Sequence, residues 1–445
     1  MTSSATANPS YDTGTRQRDK AMMLVATIAR MGLGLLTFVV LARYLGPTQF
    51  GVIATAMAYA TFVSLATDYG LATSALRRAS IAPPDAGRIV GDALAVKVLL
   101  ALAALLVAII AAAFAVPVTQ LPIYACVFMG TLAYSFADLS MVVARAHRRF
   151  EVEAALVVST SVVMLLGTGG VAAWTGSVSA AAGVFLATRL FYLAAVQWRL
   201  RCWLGPLAGM GRSVAEMRAT LHASANYAVD NILTVLTSQI DVLLFALLLS
   251  SYEMGVYQAG ARLVQVIVPF AVVLSTVYMP ALSSAAAQPE LKPFRRLSRR
   301  VTIEFAGLAL VAGLAFTFVG PLITTHLYGD RYASLQPLWA GFGAYALLRF
   351  AAAGFGIQLV ALNRITPRIV SQIAAAAAFV VATVLLLPGA HLRVAAWLLA
   401  LIGAVNFAVL GLSLLRSDRR DTAVIASLVG LPLTALLLAL LAGRM

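Results

Sequence analysis

Thirteen long apolar segments constrain the fold more than any other feature of the sequence. Each is long enough to cross the hydrocarbon core of a bilayer as an α-helix, which takes about 20 residues. A helix is required because backbone N–H and C=O groups in lipid find no water and must pair within the segment. The sequence therefore predicts an all-α polytopic membrane protein. The approximate limits of the spans are 21–43, 51–74, 91–115, 121–144, 153–174, 178–198, 224–249, 255–283, 301–324, 335–361, 367–388, 394–415 and 423–443.

The composition excludes the other broad classes of protein. Of the 445 residues, 61% are hydrophobic and 11% are charged, whereas soluble domains have about 25% charged residues. The cysteines, Cys126 and Cys202, cannot form a disulfide framework, and with scattered histidines they predict no metal site. The sequence contains no phosphate-binding loop, HExxH or GxSxG motif. We therefore predict neither an enzyme nor a resident cofactor.

The net charge of +15 is distributed asymmetrically between alternate loops. If the N-terminus is cytoplasmic, the inner loops contain nearly all Lys and Arg residues outside the spans. The basic residues on the outer side are Arg43, Arg331, Arg393 and Arg444. This positive-inside pattern predicts the cytoplasmic N-terminus and accounts for the charge through topology and anionic lipid. No nucleic acid partner is expected.

The longest connection divides the spans into two groups. We predict a disordered cytoplasmic tail, a first lobe of six spans, a connecting loop, a second lobe of six spans, and a linker with an extra C-terminal span. Their limits are 1–20, 21–198, 199–223, 224–415 and 416–445. In the loop, the S-x-x-E pattern from Ser213 to Glu216 predicts a short amphipathic helix. Gly51 and Gly255 follow spans one and seven, 204 residues apart. Lobes of six spans are expected to be parallel repeats around a central cavity.

Ionisable residues inside the spans are costly in lipid and are candidate functional residues. The basic ones are Arg30, Lys97, Arg189, Arg262 and Arg349. Lys97 is nearer the inner face, where its side chain is expected to reach water. The cations outnumber the deep carboxylates, which are Asp138, Asp230 and Asp241. We therefore predict a bound anion, for which guanidinium groups are suited, with a water-filled cavity as the alternative.

Span seven has a polar stripe along its length. Its members are Asn226, Asp230, Thr234, Thr237 and Asp241. Spacings of three and four residues place all of them on one helical face. In span eight, Gln258, Arg262 and Gln265 have similar spacing. A polar face needs a wet cavity or a polar partner, so these residues are predicted to line the cavity. An ion pair between Asp241 and Arg262 that joins the two spans is the structural alternative.

Four short motifs occur at the ends of spans in a fixed order. Arg43-x-Leu45-Gly46-x-x-x-Phe50-Gly51 follows span one, and Gly255-x-Tyr257-x-x-x-x-Arg262-Leu263 follows Asp241. Tyr328-Gly329-x-x-Tyr332 precedes span ten, and Ala361-Leu362-Asn363-Arg364 follows it. Over most of residues 21–415, the chain resembles polysaccharide repeat-unit flippases of the multidrug/oligosaccharidyl-lipid/polysaccharide exporter superfamily. The extra C-terminal span departs from the twelve- and fourteen-span patterns of that superfamily.

The resemblance implies two six-helix lobes around a central cavity and alternating access. It implies export of an oligosaccharide on undecaprenyl pyrophosphate, from the inner to the outer leaflet of the bacterial inner membrane. The cations would attract the pyrophosphate or an acidic sugar, and Asp138, Asp230 or Asp241 would take up H⁺ or Na⁺. The expected partners are the lipid-linked oligosaccharide, membrane lipid, and polysaccharide polymerase or export machinery.

Three other functions are alternatives to this one. A drug or small-molecule exporter of the same superfamily would be expected to have an acidic, aromatic cavity, which the excess of cations disfavours. A peptidoglycan-precursor flippase would share the fold and the cationic cavity, although the span count disfavours it. An enzyme acting on lipid-linked sugars would need a sizeable catalytic loop or domain, and the loops are too short for one.

Overall fold

Helices account for every regular element in the part of the chain that the computed structural model describes, which is residues 13–204, 214–290, 292–417, 427 and 430–435. The α-helices are α1 Thr13–Asp68, α2 Leu71–Ile81, α3 Ala86–Ala115, α4 Leu121–Ala146, α5 Phe150–Met164, α6 Gly170–Thr175, α7 Val178–Leu204, α8 Val214–Leu248, α9 Ser251–Gln265, α10 Val268–Ala286, α11 Lys292–Leu314, α12 Gly320–Ile323, α13 Trp339–Ala361 and α14 Thr366–Ser417. Ten helical stretches in this part are long and apolar enough to cross a membrane. The chain is an all-α, multi-pass membrane protein, as the sequence predicts.

The first two spans are joined by a sharp break inside α1. Gly46 has φ 74° and ψ 171°, a conformation that is strained for residues with a side chain. Pro47 follows at the first position of the next helix, where its missing N–H has no helical partner to lose. The Gly46-Pro47 pair therefore ends one span and starts the next within a few residues.

The break between α8 and α9 is stabilised in a different way. Ser250 has an extended backbone, and its side chain accepts a hydrogen bond from the Glu253 backbone N–H. The Glu253 carboxylate in turn accepts a hydrogen bond from the Ser250 N–H at 3.0 Å. This capping box satisfies the free donors at the start of α9. The S-x-x-E pattern that the sequence analysis selected begins at Ser213, which lies outside the described residues.

The helix limits differ from the sequence expectations in three places. α1 begins at Thr13, inside the segment predicted as a tail. α8 runs without interruption from Val214 to Leu248, so the predicted amphipathic helix is the first part of a longer helix. α14 includes both span eleven and span twelve. The predicted span at 423–443 lies mostly outside the described residues.

The chain divides into two compact units. The first consists of Met1–Thr37, Ala60–Val171 and Ser179–Asn231, and the second of Phe38–Tyr59, Ala172–Val178 and Ile232–Met445. These limits differ from the predicted lobes, because the residues on both sides of the Gly46-Pro47 break belong with the second unit. The lobe limits therefore stay a prediction.

Each unit has its own hydrophobic core. In the first unit, α2, α3, α4 and α7 contribute buried residues such as Leu71, Val90 and Val143. In the second unit, the core includes Phe305, Phe355 and Phe407 from α11, α13 and α14. Many large apolar side chains outside these cores are exposed, among them Leu106 and Leu385. Exposed apolar surface of this extent is expected where lipid covers the protein.

The crossing of α13 and α14 requires a glycine. A Cβ on Gly341 would lie 2.7 Å from the Cβ of Ala396 and 2.8 Å from its carbonyl carbon. We expect Gly341→Val to lower the free energy of unfolding by about 1–3 kcal/mol through overpacking. The measurement is thermal unfolding in detergent. Gly307→Val in α11 is the matched control, since a Cβ there would have no atom within 4 Å. Equal losses in both variants would contradict the close crossing.

Candidate functional site

Two of the predicted cations come together in the first unit around one tyrosine ring. The Arg189 guanidinium lies 4.4 Å from the ring centre of Tyr134. Arg30 approaches the hydroxyl of the same tyrosine, with Nη1 at 3.4 Å. The Nε of Arg189 is buried and has no hydrogen-bond partner among the described residues. Arg30 and Arg189 also repel each other electrostatically. An anion between them would relieve this repulsion and satisfy the free donor.

Lys97 has a different environment from the one that the sequence predicts. Its side chain is 1% exposed and forms an ion pair with Asp68, so it does not extend to water at the inner face. Its ammonium also donates to the backbone oxygen of Ser135 at 2.9 Å and to the Ser135 hydroxyl at 2.6 Å. The Ser135 hydroxyl donates in turn to Asp68 at 2.6 Å. The charge of Lys97 is therefore neutralised within the protein, and its role in binding substrate stays a prediction.

Asp138 also has an internal partner. Its carboxylate accepts a hydrogen bond from Arg145 Nη2 at 2.6 Å. The same guanidinium bonds to Glu153, with a shortest distance of 2.8 Å. This triad joins the end of α4 to the start of α5. Asp138 is therefore an ion-pair partner in this structure, and the coupling role stays a prediction.

The second unit contains a cavity of about 390 Å³ between α10, α13 and α14. Its walls are largely apolar and include Ile267, Phe350 and Ile357. Its polar lining consists of Arg349, Arg368, Tyr345, Ser275, Thr276, Ser371, Gln372 and Asn406. Among the described residues that line it there is no Asp or Glu. A partly open cavity with two guanidinium groups and apolar walls suits an amphiphilic anion.

Neither arginine of this cavity is neutralised by a carboxylate of the described residues. In the described ranges, no ion pair within 4.0 Å involves Arg349 or Arg368. Arg349 is the deep cation that the sequence predicts. Arg368 stands at the start of the span predicted over 367–388 and lies in the first turn of α14, but it was not among the candidate residues. Its spacing of three and four residues from Ser371 and Gln372 is the signal that could have found it.

The second unit also holds the predicted residues of spans seven and eight. Asp241 is buried and accepts a hydrogen bond from the Tyr257 hydroxyl at 2.5 Å. Arg262 lies 4.5 Å from the ring centre of Phe38 and donates to Gln265 at 3.4 Å. Within the described residues, Asp241 and Arg262 attract each other electrostatically but form no ion pair within 4.0 Å. The predicted direct ion pair is therefore replaced by the bond from Tyr257.

Gln258 is a further candidate residue in α9. Its side chain is 1% exposed, and both of its amide atoms have no hydrogen-bond partner in the described part of the chain. A buried amide of this kind needs a water or a ligand group. The other predicted residues of the polar stripe are Asn226, Asp230, Thr234 and Thr237. Their side chains lie outside the described residues, and α8 is continuous through all four positions.

The ion pair of Lys97 with Asp68 generates a stability prediction. We expect Lys97→Met to lower the free energy of unfolding by about 2 kcal/mol, because a partly buried carboxylate loses its partner. The loss is less than for a fully buried pair, since the Asp68 side chain is 31% exposed. Lys97→Met with Asp68→Asn should cost less than the sum of the two single changes. Thermal unfolding of the four proteins in detergent measures this, and additive losses would refute the pairing.

Three solved structures resemble the chain over most of its length. The chain is similar to the lipid II flippase MurJ in an inward closed conformation, with a TM-score of 0.68 and 13% identity over 95% of this chain and 97% of that chain. It is similar to an inward-facing multidrug resistance MATE family transporter of the MOP superfamily, with a TM-score of 0.65 and 13% identity over 88% of this chain and 95% of that chain. A variant of the Vibrio cholerae MATE transporter VcmN has a TM-score of 0.53 and 15% identity, over 92% of this chain and 97% of that chain.

These similarities show that the chain shares the fold of these three structures. No curated protein sequence matches the chain significantly. The model of the family described as "Polysaccharide biosynthesis protein" matches residues 18–286, which is more than half of the chain. The protein therefore belongs to the polysaccharide biosynthesis protein family.

Proposed function

We propose that the protein moves a lipid-linked oligosaccharide from the inner to the outer leaflet of the bacterial inner membrane by alternating access. The carrier in this proposal is undecaprenyl pyrophosphate. Family membership supports a role in polysaccharide biosynthesis, and the exporter fold supports transport rather than catalysis. The observation that carries the proposal is the cavity lined by Arg349 and Arg368, with no carboxylate among its described lining residues.

The depth of the two arginines suggests an order of binding. Arg349 is 12 residues from the end of α13, or about 18 Å along the helix axis. Arg368 is in the first turn of α14, close to that end and on the side predicted to be cytoplasmic. In this mechanism, Arg368 captures the pyrophosphate at the inner surface and Arg349 holds it deeper in the membrane. Guanidinium groups bind phosphate oxygens in pairs, and the bond strengthens where water is excluded.

The chemistry of the cavity disfavours a drug exporter. Cationic compounds would be repelled by two arginines that have no acidic partner in the described lining. A peptidoglycan precursor has the same pyrophosphate group, and so the cavity alone does not distinguish it from a polysaccharide repeat unit. The glycan that accumulates in a deletion strain distinguishes the two. Loss of surface polysaccharide with repeat units on the inner leaflet supports the proposal, and impaired cell-wall synthesis with normal surface polysaccharide would overturn it.

Substitution of the two arginines that line the cavity is a second test of the proposal. We expect Arg349→Gln and Arg368→Gln each to reduce the rate of repeat-unit translocation at least about tenfold, because each removes hydrogen bonds to a charged group worth about 1.5–3 kcal/mol. Translocation is measured as the fraction of labelled repeat units that reach the outer leaflet. Arg364→Gln is the matched control, since Arg364 is exposed and does not line the cavity. A loss in the control as large as in the two cavity variants would refute a specific anion site.

We further propose that Asp241 couples transport to a gradient of H⁺ or Na⁺. It is a buried carboxylate without an ion-pair partner among the described residues. Binding of H⁺ or Na⁺ would therefore neutralise a charge that no described cation balances by direct contact. We expect Asp241→Asn to retain substrate binding and to lose the dependence of translocation on the gradient. Asparagine retains the oxygen that accepts the bond from Tyr257.

The measurement is translocation in vesicles with and without an ionophore. Asp85→Asn is the control, because Asp85 is exposed and lies in the short turn Pro83–Asp85 that precedes α3. Gradient-dependent translocation in the Asp241 variant, equal to that of the parent protein, would contradict the coupling role.

A further inference from the structure

The start of α11 carries four exposed cations on one face of the helix. They are Lys292, Arg295, Arg296 and Arg299. Offsets of three, four and seven residues from Lys292 place all of them on the same side of the helix. Arg300 points from an adjacent face and is already paired, since its Nε lies 2.8 Å from the Glu304 carboxylate. The four cations therefore form a positively charged band, which we call the basic band.

The basic band is unfavourable for the helix that carries it. The positive end of the helix dipole favours carboxylates in the first turn, yet the first turn of α11 contains no acidic residue. Lys292 and Arg296 are four residues apart, as are Arg295 and Arg299, and like charges at this spacing repel each other. The positive-inside rule requires cations only somewhere in the inner loop. An anionic group outside the protein would relieve both the repulsion and the unfavourable interaction with the dipole.

The face that carries the basic band continues as an apolar stripe along α11. Ile303, Leu310 and Leu314 extend the line of the cations at helical spacing, and their side chains are exposed. An exposed apolar surface of this length is expected to face lipid. Gly307 lies in the middle of the stripe and is also exposed, and a Cβ there would have no atom within 4 Å. The stripe therefore has a shallow notch between Ile303 and Leu310.

We propose that this face of α11 binds an anionic phospholipid of the inner leaflet. The phosphate contacts the basic band, and an acyl chain lies along the apolar stripe in the notch at Gly307. The band covers about 10 Å of the helix axis immediately before the stripe, where the headgroup layer meets the hydrocarbon. The predicted orientation places the start of α11 on the cytoplasmic side, and anionic lipids of that leaflet attract basic segments.

The charge of the band favours an anionic lipid over a zwitterionic one. Guanidinium groups bind phosphate oxygens in pairs, which every phospholipid offers. A zwitterionic lipid also carries an ammonium group, and the neighbouring cations would repel it. The site is distinct from the cavity of the proposed function, because none of its residues is among the described residues that line that cavity. The proposal is therefore independent of the transported substrate.

The experiment measures the affinity of single phospholipid molecules for the purified protein in detergent by native mass spectrometry. The probes are phosphatidylglycerol and phosphatidylcholine with identical acyl chains. We expect phosphatidylglycerol to bind the parent at least about tenfold more tightly than phosphatidylcholine. The triple variant Arg295→Gln/Arg296→Gln/Arg299→Gln should lose this preference, because it keeps one of the four cations.

A matched control removes the same charge from three separate helices of the first unit. It is Arg88→Gln/Arg201→Gln/Arg218→Gln, whose arginines are exposed on α3, α7 and α8. This control should keep the preference of the parent. Gly307→Leu tests the notch without changing any charge. It should weaken the binding of phosphatidylglycerol at least about threefold, because the leucine occupies the space of the acyl chain.

Four results would overturn the lipid site. They are equal affinities of the two phospholipids for the parent, an unchanged preference in the triple variant, an equal loss in the control, or unchanged binding in Gly307→Leu. Thermal unfolding in detergent establishes that each variant is folded, and Gly307→Leu decides alone if the triple variant does not accumulate. The assay contains no lipid-linked oligosaccharide, so failure of the proposed function would leave its outcome unaffected.

Discussion

The structure depends on the absence of water from the hydrocarbon core of the membrane. Backbone groups there must pair within their own segment, and so the spans are helices. Side-chain charges face the same requirement, because an unpaired ion in a medium of low dielectric is costly. Each buried charge consequently needs a partner within the protein, a water-filled space, or a ligand.

This requirement separates the charges of the spans into two groups. Lys97 and Arg145 are bonded to carboxylates, so their charges are neutralised and they hold helices together. Arg189 and Arg349 have no ion pair in the described part of the chain, and Arg349 lines a cavity. The first group contributes to the stability of the first unit. The second group is where an anionic substrate would gain most binding free energy. Counting cations against carboxylates predicts that a second group exists but not which arginines belong to it.

The sequence predicts the spans and the deep position of Arg349 because apolar periodicity and length are local properties. It also detects the repeat that places Gly51 and Gly255 in equivalent turns. It does not predict the partner of Asp138, because Arg145 is two helical turns away and selects Asp138 and Glu153 through the path of the loop between α4 and α5. Arg368 was missed for a related reason, since the cavity that it lines together with Arg349 is formed by the packing of α10, α13 and α14. Residue patterns therefore do not predict which charged side chains pair with each other.

The contact between Gly51 and Gly255 follows the same packing rule as the crossing of α13 and α14 at Gly341. A Cβ on either of these two glycines would overlap a backbone oxygen of the other helix. The apolar side chains beside them, Phe50 and Val256, are buried. The helices can approach so closely only because neither glycine carries a side chain, and small residues are what helix contacts in a membrane require, since lipid gives apolar side chains no reason to leave it.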